Sequence, residues 1–296
     1  MAPKKTEGGF TLPPIPQERY EQRGVSAPSK HTRGRARHII NVQDGPVLVV
    51  SDPHYYPGDE PSVAHRAAIQ IGKKLGVWAV VVNGDAIDGA SISRWPVGSF
   101  AELGERPKVS DEMWETGKRL AEFETITSAE HLVWTLGNHD ARFETKLADR
   151  VPEYDGVPGF KLKDHFPVWS PAWGVWFQHP KTEKVEVVVK HRFKGGMYSA
   201  NNNALWAGTS MVTGHLHQLW YKPITDLTGT RWGIEAGTLS NIYSPHFQNY
   251  TEDNPINWQS GFVILHFKNG QFVGPELVHA LPNDTVWWRG ERIKVR

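Results

Sequence analysis

Four short apolar runs in this chain each end in a cluster of Asp, Asn or His residues, and this recurrence limits the fold more than any other feature. The clusters lie at residues 52–54, 84–88, 137–140 and 214–217, and a fifth run, residues 185–190, ends at His191. Strand ends in an open sheet are where ligands collect, and Asp, Asn and His side chains suit divalent metals. The set supplied by the five ends fits two metal ions: Asp52, His54, Asp85, Asn138, His191, His215 and His217.

The composition excludes thiolate ligands and a strong general attraction to polyanions. The chain has 296 residues, no Cys and a net charge of +1, so any metal is held by oxygen and nitrogen, and nothing draws the whole surface to nucleic acid or anionic membrane. No apolar run approaches the roughly 18 residues of a spanning helix. The first ten residues lack the apolar core of a secretion signal. We therefore expect no membrane partner and a cytoplasmic location.

Residues 1–45 differ in composition from the rest of the chain. Through residue 40 they carry eight Lys or Arg and three Glu, with several Pro and few aliphatic residues. Such a segment buries too little apolar surface to offset the entropy lost on ordering, so we expect a flexible basic arm. Two interpretations stay open: a solvated tail, which charge-rich segments favour, or a contact to nucleic acid centred on residues 33–37.

From residue 46 onward, strand and helix patterns alternate. Residues 46–50, 77–83 and 131–136 are continuous apolar runs, as in strands covered on both faces. Residues 62–75 and 111–128 have helical spacing, with Ser62 and Ser110 as predicted caps. The first half is therefore predicted to be βαβαβ.

After residue 170 the pattern changes to short strands bounded by turns. They are predicted at residues 174–178, 183–190, 210–214, 220–223, 231–236, 261–267 and 271–278. Asn269-Gly270 indicates a hairpin between the last two, and a helix is predicted at residues 199–207. With no linker between the halves, we expect one α/β domain, residues 46–296, built on two packed β-sheets.

The polar clusters suit the hydrolysis of phosphate esters. This reaction needs a nucleophile at neutral pH and neutralisation of the charge on the transferred phosphoryl group. Two divalent ions about 3.5–4 Å apart supply both, because they lower the pKa of a shared water toward about 7 and clamp the non-bridging oxygens. Such a pair needs a bridging carboxylate, terminal ligands and open positions, and the Asp, Asn and His set can provide them.

The order Asp-x-His, Gly-Asp-x-x-Asp, Gly-Asn-His-Asp, a strand-end His and Gly-His-x-His resembles the calcineurin-like metallophosphoesterase family over residues 51–217. The resemblance implies a four-layer sandwich of two mixed β-sheets flanked by helices. It implies a phosphoric-ester hydrolase whose nucleophile is a hydroxide between two metals. One metal would be held by Asp52, His54, Asp85 and His217, and the other by Asp85, Asn138, His191 and His215.

The same resemblance assigns roles beyond the metal ligands. His139 matches the family histidine that contacts phosphate and protonates the leaving oxygen, a general-acid role, and Asn138 is expected to contact substrate beside it. Asp88 matches the carboxylate that orients this imidazole and raises its pKa. Asp140 is predicted to cap a helix over residues 141–147.

Two departures from the family pattern bear on the substrate. Arg192 follows His191 where the family usually has Gly. Two interpretations stay open: Arg192 binds the substrate phosphate, or Arg192 and Lys190 are surface charges. Gly89 stands where protein phosphatases of the family carry a phosphate-binding Arg. This second departure disfavours a protein phosphatase.

The sequence thus predicts a metal-dependent phosphoesterase that favours phosphodiesters, in nucleic acid or in nucleotides. Two divalent ions are expected, with Mn favoured over Fe, Zn or Ni. One alternative is a phosphomonoesterase acting on protein or small molecules. The other is an inactive binding scaffold, against which the complete ligand set argues. The sequence leaves the oligomeric state open.

Overall fold

A computed structural model of the chain describes residues 37–93, 107–244 and 256–296. Most of the predicted arm, residues 1–36, lies outside the described residues. The end of the predicted arm belongs to the folded domain instead, because Arg37–Asn41 forms strand β1 and pairs in parallel with a strand that begins at Gly174. The boundary predicted at residue 45 therefore falls after the first strand.

The first half of the chain forms the parallel part of an eight-stranded sheet. Its strands are β2 (Gly45–Val50), β3 (Ala79–Asn83), β4 (His131–Thr135) and β5 (Ser170–Ala172). They are connected by helices α1 (Val63–Leu75), α2 (Val109–Glu124), α3 (Ala141–Arg150) and α4 (Leu162–His165), and by 3-10 turns at Ala90–Ile92 and Pro152–Tyr154. The predicted βαβαβ order is confirmed.

Both faces of these parallel strands are covered, which explains why their sequences are apolar throughout. In β2, Leu48 and Val50 pack in a cluster with residues of α1 and α2. Val47 and Val49 pack on the opposite face, in a cluster with residues of the second sheet. Alternate side chains of one strand thus fill two separate cores.

Four antiparallel strands complete the eight-stranded sheet. They are β11 (Gly261–Lys268), β12 (Gln271–Leu281), β13 (Thr285–Trp288) and β14 (Glu291–Lys294), in the sheet order β14-β13-β12-β11-β2-β3-β4-β5. Asn269 and Gly270 form the predicted hairpin turn, with φ of 52° and 77°. The strands β13 and β14 were not predicted, since each has only four residues.

The second sheet has six strands in the order β1-β6-β7-β8-β10-β9. Its remaining strands are β6 (Gly174–Gln178), β7 (Val185–Val189), β8 (Ser210–Thr213), β9 (Leu219–Asp226) and β10 (Gly229–Ala236). Helix α5 (Ser199–Ala207) contacts β8, β9 and β10. Both sheets mix parallel and antiparallel pairs and are flanked by helices, so the predicted α/β fold class is confirmed.

The helix ends show one predicted cap and one different start. Ser62 caps α1 as predicted, because its Oγ accepts the backbone N–H of His65 at 3.1 Å. Helix α2 begins earlier than predicted, so Ser110 lies inside its first turn, and Asp111 accepts the backbone N–H of Lys108 at 3.4 Å. Within the described ranges, no helix has both the length and the apolar character needed to cross a membrane.

Candidate metal centre

Six of the seven predicted metal ligands, all except Asn138, meet where strands of the two sheets end side by side. Asn138 lies in the loop after β4, with its amide oxygen buried. Each ligand segment begins two or three residues after β2, β3, β4, β7 or β8. His191 Nε2 lies 3.2 Å from Asp85 Oδ2, and His217 Nε2 lies 3.1 Å from Asp52 Oδ1. These pairs join the end of one sheet to the end of the other.

Three groups of side chains have ligand atoms within 4.8 Å of one another. They are Asp52 with His54 and His217, Asp85 with His191 and His215, and His54 with Asp88 and His139. The first two groups lie within the two predicted ligand sets. The Nε2 of His54 is 3.9 Å from Asp85 Oδ2, so Asp85 of the second group also approaches the first.

Five of the predicted ligands have left-handed backbone conformations that non-glycine residues seldom adopt. The φ values are 50° at Asp52, 46° at His54, 49° at Asp85, 70° at His215 and 56° at His217. Such conformations cost on the order of 1–3 kcal/mol each and cluster at functional sites. Here they turn the chain sharply after β2, β3 and β8, so that side chains from these three strands reach one centre.

Two glycines of the motifs allow the ligand loops to pack this closely. A Cβ at Gly84 would lie 2.3 Å from the Nδ1 of His191, and one at Gly214 would lie 2.1 Å from the Oγ of Ser51. Each distance is far inside van der Waals contact. Glycine is therefore required at both positions by the side chain opposite, in addition to the φ of 80° at Gly84.

Asp52 is fixed by neighbours on both sides. Ser51 Oγ lies 2.5 Å from Asp52 Oδ2 and 2.8 Å from the backbone oxygen of Asn83. The backbone N–H of His215 donates to Asp52 Oδ2 at 2.9 Å. The carboxylate is fully buried, so these contacts set its orientation.

The buried carboxylates are held in their charged form. Burial alone raises the pKa of Asp52, but the charges of His191 and His217 outweigh it and lower the pKa to about 2. Burial likewise raises the pKa of Asp85, and the His191 charge outweighs it and brings that pKa well below its ordinary value. Two anionic groups therefore face the centre at neutral pH.

The donor set fits divalent cations. Asn138 Oδ1 and His191 Nε2 are buried and have no hydrogen-bond partner among the described residues. The Nδ1 of His191 lies 2.8 Å from the backbone oxygen of Asn83 and donates to it. Burial lowers the pKa of His191, but the charges of Asp85 and Asp52 outweigh it and raise the pKa to about 10. The free ring is therefore protonated and directs its Nε2–H at Asp85, and a bound cation would replace that proton. Two buried carboxylates beside an imidazole nitrogen, and a buried amide oxygen that lacks a donor in the described part of the chain, are a donor set that suits a cation.

Asp140 has a different role from the predicted one. It precedes α3, but its side chain makes no capping bond to the helix. Its buried carboxylate instead accepts backbone N–H groups of Asp85 and Gly137 at 2.8 Å each and of Ile87 at 3.0 Å. Burial and the nearby Asp85 charge raise the pKa of Asp140 to about 6. The residue therefore ties the loop after β3 to the loop after β4.

The Asp88 carboxylate contacts a ligand that the sequence did not assign to it. Its Oδ1 lies 3.1 Å from the Nδ1 of His54, whereas the Nδ1 of His139 lies 2.5 Å from the main-chain oxygen of Asp88. Asp88 therefore orients His139 through its backbone and His54 through its side chain. A carboxylate on the outer nitrogen of a ligating histidine fixes the tautomer and the ring orientation.

The pKa of His139 moves opposite to the expectation from sequence. Burial, together with the charge of His54, lowers it to about 4, and the opposing effects of Asp85 and Asp88 are smaller. The prediction from sequence included the charge of Asp88 but not the burial of the His139 ring. Desolvation disfavours the imidazolium, so it dominates here.

Arg142 is a site residue that the sequence analysis missed. Its Nη1 donates to the main-chain oxygens of Asp88 at 3.3 Å and Gly89 at 3.5 Å. The guanidinium therefore lies beside His139, against the glycine that replaces the family Arg. The signal was available, because Arg142 follows His139 by only three residues, and in the turn that leads into α3 its backbone N–H donates to the His139 backbone oxygen at 3.1 Å.

Arg192 is exposed at the edge of the centre. Burial and the His191 charge lower the pKa of His215, and Arg192 adds to this lowering. The charge of Arg192 therefore acts on the second ligand group. The predicted alternatives for Arg192, phosphate contact or surface charge, both fit this position.

Comparison with known proteins assigns the chain to a family. The model for calcineurin-like phosphoesterases matches residues 45–235. The Gene 54 protein of Mycobacterium phage D29 is 30% identical over 225 residues, which is 67% of this chain and 80% of that protein. The chain belongs to the calcineurin-like phosphoesterase family. Together with the ligand groups, this membership indicates a site for divalent metal ions.

Two solved structures were also found to be similar. A single mutant of Vps29 from Entamoeba histolytica is 13% identical, with a TM-score of 0.43, and the match covers 85% of this chain and 99% of that one. A metallophosphoesterase from Sphaerobacter thermophilus is 14% identical, with a TM-score of 0.42, over 80% of this chain and 89% of that one. Likeness at this level carries no argument about activity.

Proposed function

We propose that this protein is an enzyme, a binuclear metal-dependent phosphoesterase, and that it favours phosphodiesters of nucleic acid or nucleotides. The observation that supports it most is the position of Asp85. Its Oδ2 lies 3.2 Å from His191 Nε2 and 3.9 Å from His54 Nε2, so one carboxylate serves two ligand groups.

The proposed metal ligands are the group of Asp52, His54 and His217, the group of Asp85, His191 and His215, and Asn138. One ion would be held by Asp52, His54, Asp85 and His217, and the other by Asp85, Asn138, His191 and His215. When bound, two divalent ions lower the pKa of a water nucleophile and neutralise charge on the phosphoryl group. Mn is the preferred metal in this proposal, followed by Fe, Zn or Ni.

His139 is proposed to give the proton to the leaving oxygen. A ring nitrogen that lies 2.5 Å from a carbonyl oxygen must carry the hydrogen. The Nδ1–H of His139 is thereby committed to the backbone of Asp88. The Nε2 of His139 carries a proton only in the imidazolium form, so this role requires the anionic substrate to raise the pKa of about 4 that the free protein has.

Arg142 and Arg192 are proposed to add positive charge for the substrate phosphate, and Asn138 and His139 to contact it. A guanidinium has five N–H donors, and the two carbonyl contacts of Arg142 both use Nη1. Its other donors are thus available to a phosphate oxygen. Arg192 is exposed and can turn toward the centre.

The preference for diesters rests on Gly89 and on the Gly-Asn-His-Asp motif. Gly89 has no side chain that could bind the second negative charge of a phosphate monoester, a charge that a diester lacks. The basic arm is proposed to contact nucleic acid, although its described residue Arg37 already lies 4.1 Å from the centre of the Trp176 ring. An arm contact to phosphates would make binding steeply dependent on salt.

Turnover of two simple esters tests the proposal. Metal-free protein reconstituted with Mn should hydrolyse bis-para-nitrophenyl phosphate faster than para-nitrophenyl phosphate, and the Asp85→Asn variant should hydrolyse neither. A faster monoester would replace the diesterase by the phosphomonoesterase alternative. No turnover of either ester with Mn, Fe, Zn or Ni would favour the binding scaffold and refute the enzyme.

A further inference from the structure

An open groove lies beside the metal centre, along one side of α5 and the start of β9. Its volume is about 520 Å³, within the roughly 300–1,000 Å³ of typical ligand pockets. Its lining includes Tyr198, Asn201, Gln218, Trp220, Lys222 and Gln259. None of these residues belongs to the proposed metal or phosphate contacts.

The wall of the groove is joined directly to a metal ligand. Gln218 follows His217 in the chain, and the backbone N–H of Gln259 donates to the backbone oxygen of His217 at 2.8 Å. The ring of Trp258, next to Gln259, has its centre 4.3 Å from that of the His217 ring. A group seated in the groove would therefore be close to a phosphate held at the metals.

The lining combines flat aromatic faces with carboxamides. Tyr198 is 65% exposed, and Trp220 has an Nε1–H without an acceptor among the described residues. Aromatic faces stack on nucleobases of any sequence. Asn and Gln carry a donor and an acceptor side by side, which matches the edge of a base.

The charge of the groove suits an anionic ligand. Lys222 lines it, and no residue of the described lining has a carboxylate. Arg192 and Lys194 lie on the exposed segment that leads from β7 to Tyr198. Cationic groups beside stacking faces are the arrangement by which proteins hold single-stranded nucleic acid.

We infer that this groove binds the nucleobase adjoining the scissile phosphodiester of a single-stranded nucleic acid or a nucleotide. The inference rests on the proposed function and adds to it the surface that selects the substrate. Tyr198 and Trp220 stack on the base, the carboxamides contact its edge, and Lys222 contacts the neighbouring phosphate.

The test compares an ester that carries a base with one that does not. The measured quantity is the ratio of kcat/KM for thymidine 5′-(para-nitrophenyl phosphate) to kcat/KM for bis-para-nitrophenyl phosphate. Loss of one stacking face in Trp220→Ala or Tyr198→Ala should lower this ratio about 5- to 150-fold. Trp220→Phe keeps a ring and should restore most of it.

A matched control uses a tryptophan far from the groove. Trp287 is 49% exposed and lies on the short strand β13 of the other sheet, so Trp287→Ala should leave the ratio unchanged. An unchanged ratio in both groove variants, with turnover of the base-free ester retained, would overturn the inference and leave the proposed function standing.

Binding tests the groove even without turnover. A fluorescein-labelled oligothymidylate, titrated with metal-free protein, should bind more weakly to Trp220→Ala and Tyr198→Ala than to wild type or Trp287→Ala. Equal affinity for all four proteins would also overturn the inference. Wild-type protein that binds the oligonucleotide but hydrolyses neither ester would refute the proposed function alone.

Discussion

The Asp88 carboxylate contacts His54, with 3.1 Å between Asp88 Oδ1 and His54 Nδ1, while the main-chain oxygen of Asp88 lies 2.5 Å from His139 Nδ1. Substitution of Asp88 by Ala keeps the main-chain oxygen and removes the carboxylate. Loss of such a partner typically weakens metal affinity 10- to 100-fold. We therefore expect Asp88→Ala to bind Mn about 10- to 100-fold more weakly in equilibrium titration.

His139→Ala is the contrasting variant for this prediction. It should lose turnover but retain the wild-type affinity for Mn, because His139 is not in either proposed ligand set. If Asp88→Ala instead kept its Mn affinity and lost only turnover, its carboxylate would be acting on His139, as the sequence analysis expected.

Asp140 should contribute more to stability than to chemistry. In Asp140→Ala the backbone N–H groups of Asp85, Ile87 and Gly137 lose their acceptor, and a buried donor left unpaired costs about 1–3 kcal/mol. We expect urea unfolding of metal-free Asp140→Ala to show a loss of at least about 3 kcal/mol. Asp149→Ala, on the exposed side of α3, should change stability by less than about 0.5 kcal/mol. Similar values for both variants would contradict this role.

Arg142 should contribute to substrate binding and turnover and should contribute little to metal binding. Hydrogen bonds to charged groups contribute about 1.5–3 kcal/mol, so Arg142→Ala should lower kcat/KM for bis-para-nitrophenyl phosphate about 10- to 150-fold. Arg150→Ala, at the exposed end of the same helix, is the control and should retain full activity. A loss of bound Mn in Arg142→Ala would show that the arginine supports the ligand loops instead.

Glu235 predicts a pH dependence of stability. Burial, with a smaller effect of the Asp52 charge, raises the pKa of Glu235 to about 7. The hydrogen bonds from Ser199 and Thr213 and the charge of His191 lower this pKa, but by less. The folded protein therefore keeps a proton that the unfolded chain, with a pKa of 4.5, releases. The free energy of unfolding should fall by up to about 3 kcal/mol between pH 4.5 and pH 7 through this group.

Glu235→Gln mimics the protonated side chain and checks that prediction. The variant should lose this part of the slope and be more stable than wild type above pH 7, as measured by urea unfolding of metal-free protein at several pH values. Parallel pH profiles for the two proteins would contradict the assignment.

The sequence predicted the features that short segments determine. Apolar runs such as residues 46–50 define buried strands by themselves, and the polar residues that follow them are then brought to one edge by parallel pairing. This is why six of the seven predicted ligands meet in the structure. Strand β1 was missed because its partner Gly174–Gln178 is remote in the chain and its own sequence, RHIIN, is only partly apolar.

The side-chain contacts inside the site could not be predicted from the sequence, for a different reason. Asp88 presents both a carboxylate and a main-chain oxygen, and the sequence does not show that the carboxylate contacts His54 and the main-chain oxygen His139. Asp140 has the position of a helix cap, but the burial of its side chain beneath Asp85 gives it other partners. Such outcomes depend on tertiary packing over a few ångströms.

The most direct test of the metal centre is the stoichiometry of Mn binding. Calorimetric titration of metal-free protein, checked by elemental analysis after gel filtration, should give two Mn per chain for wild type and fewer than two for Asp85→Asn, the carboxylate that serves both ligand groups. One Mn per chain in wild type, or two in Asp85→Asn, would contradict a centre in which Asp85 joins two ions.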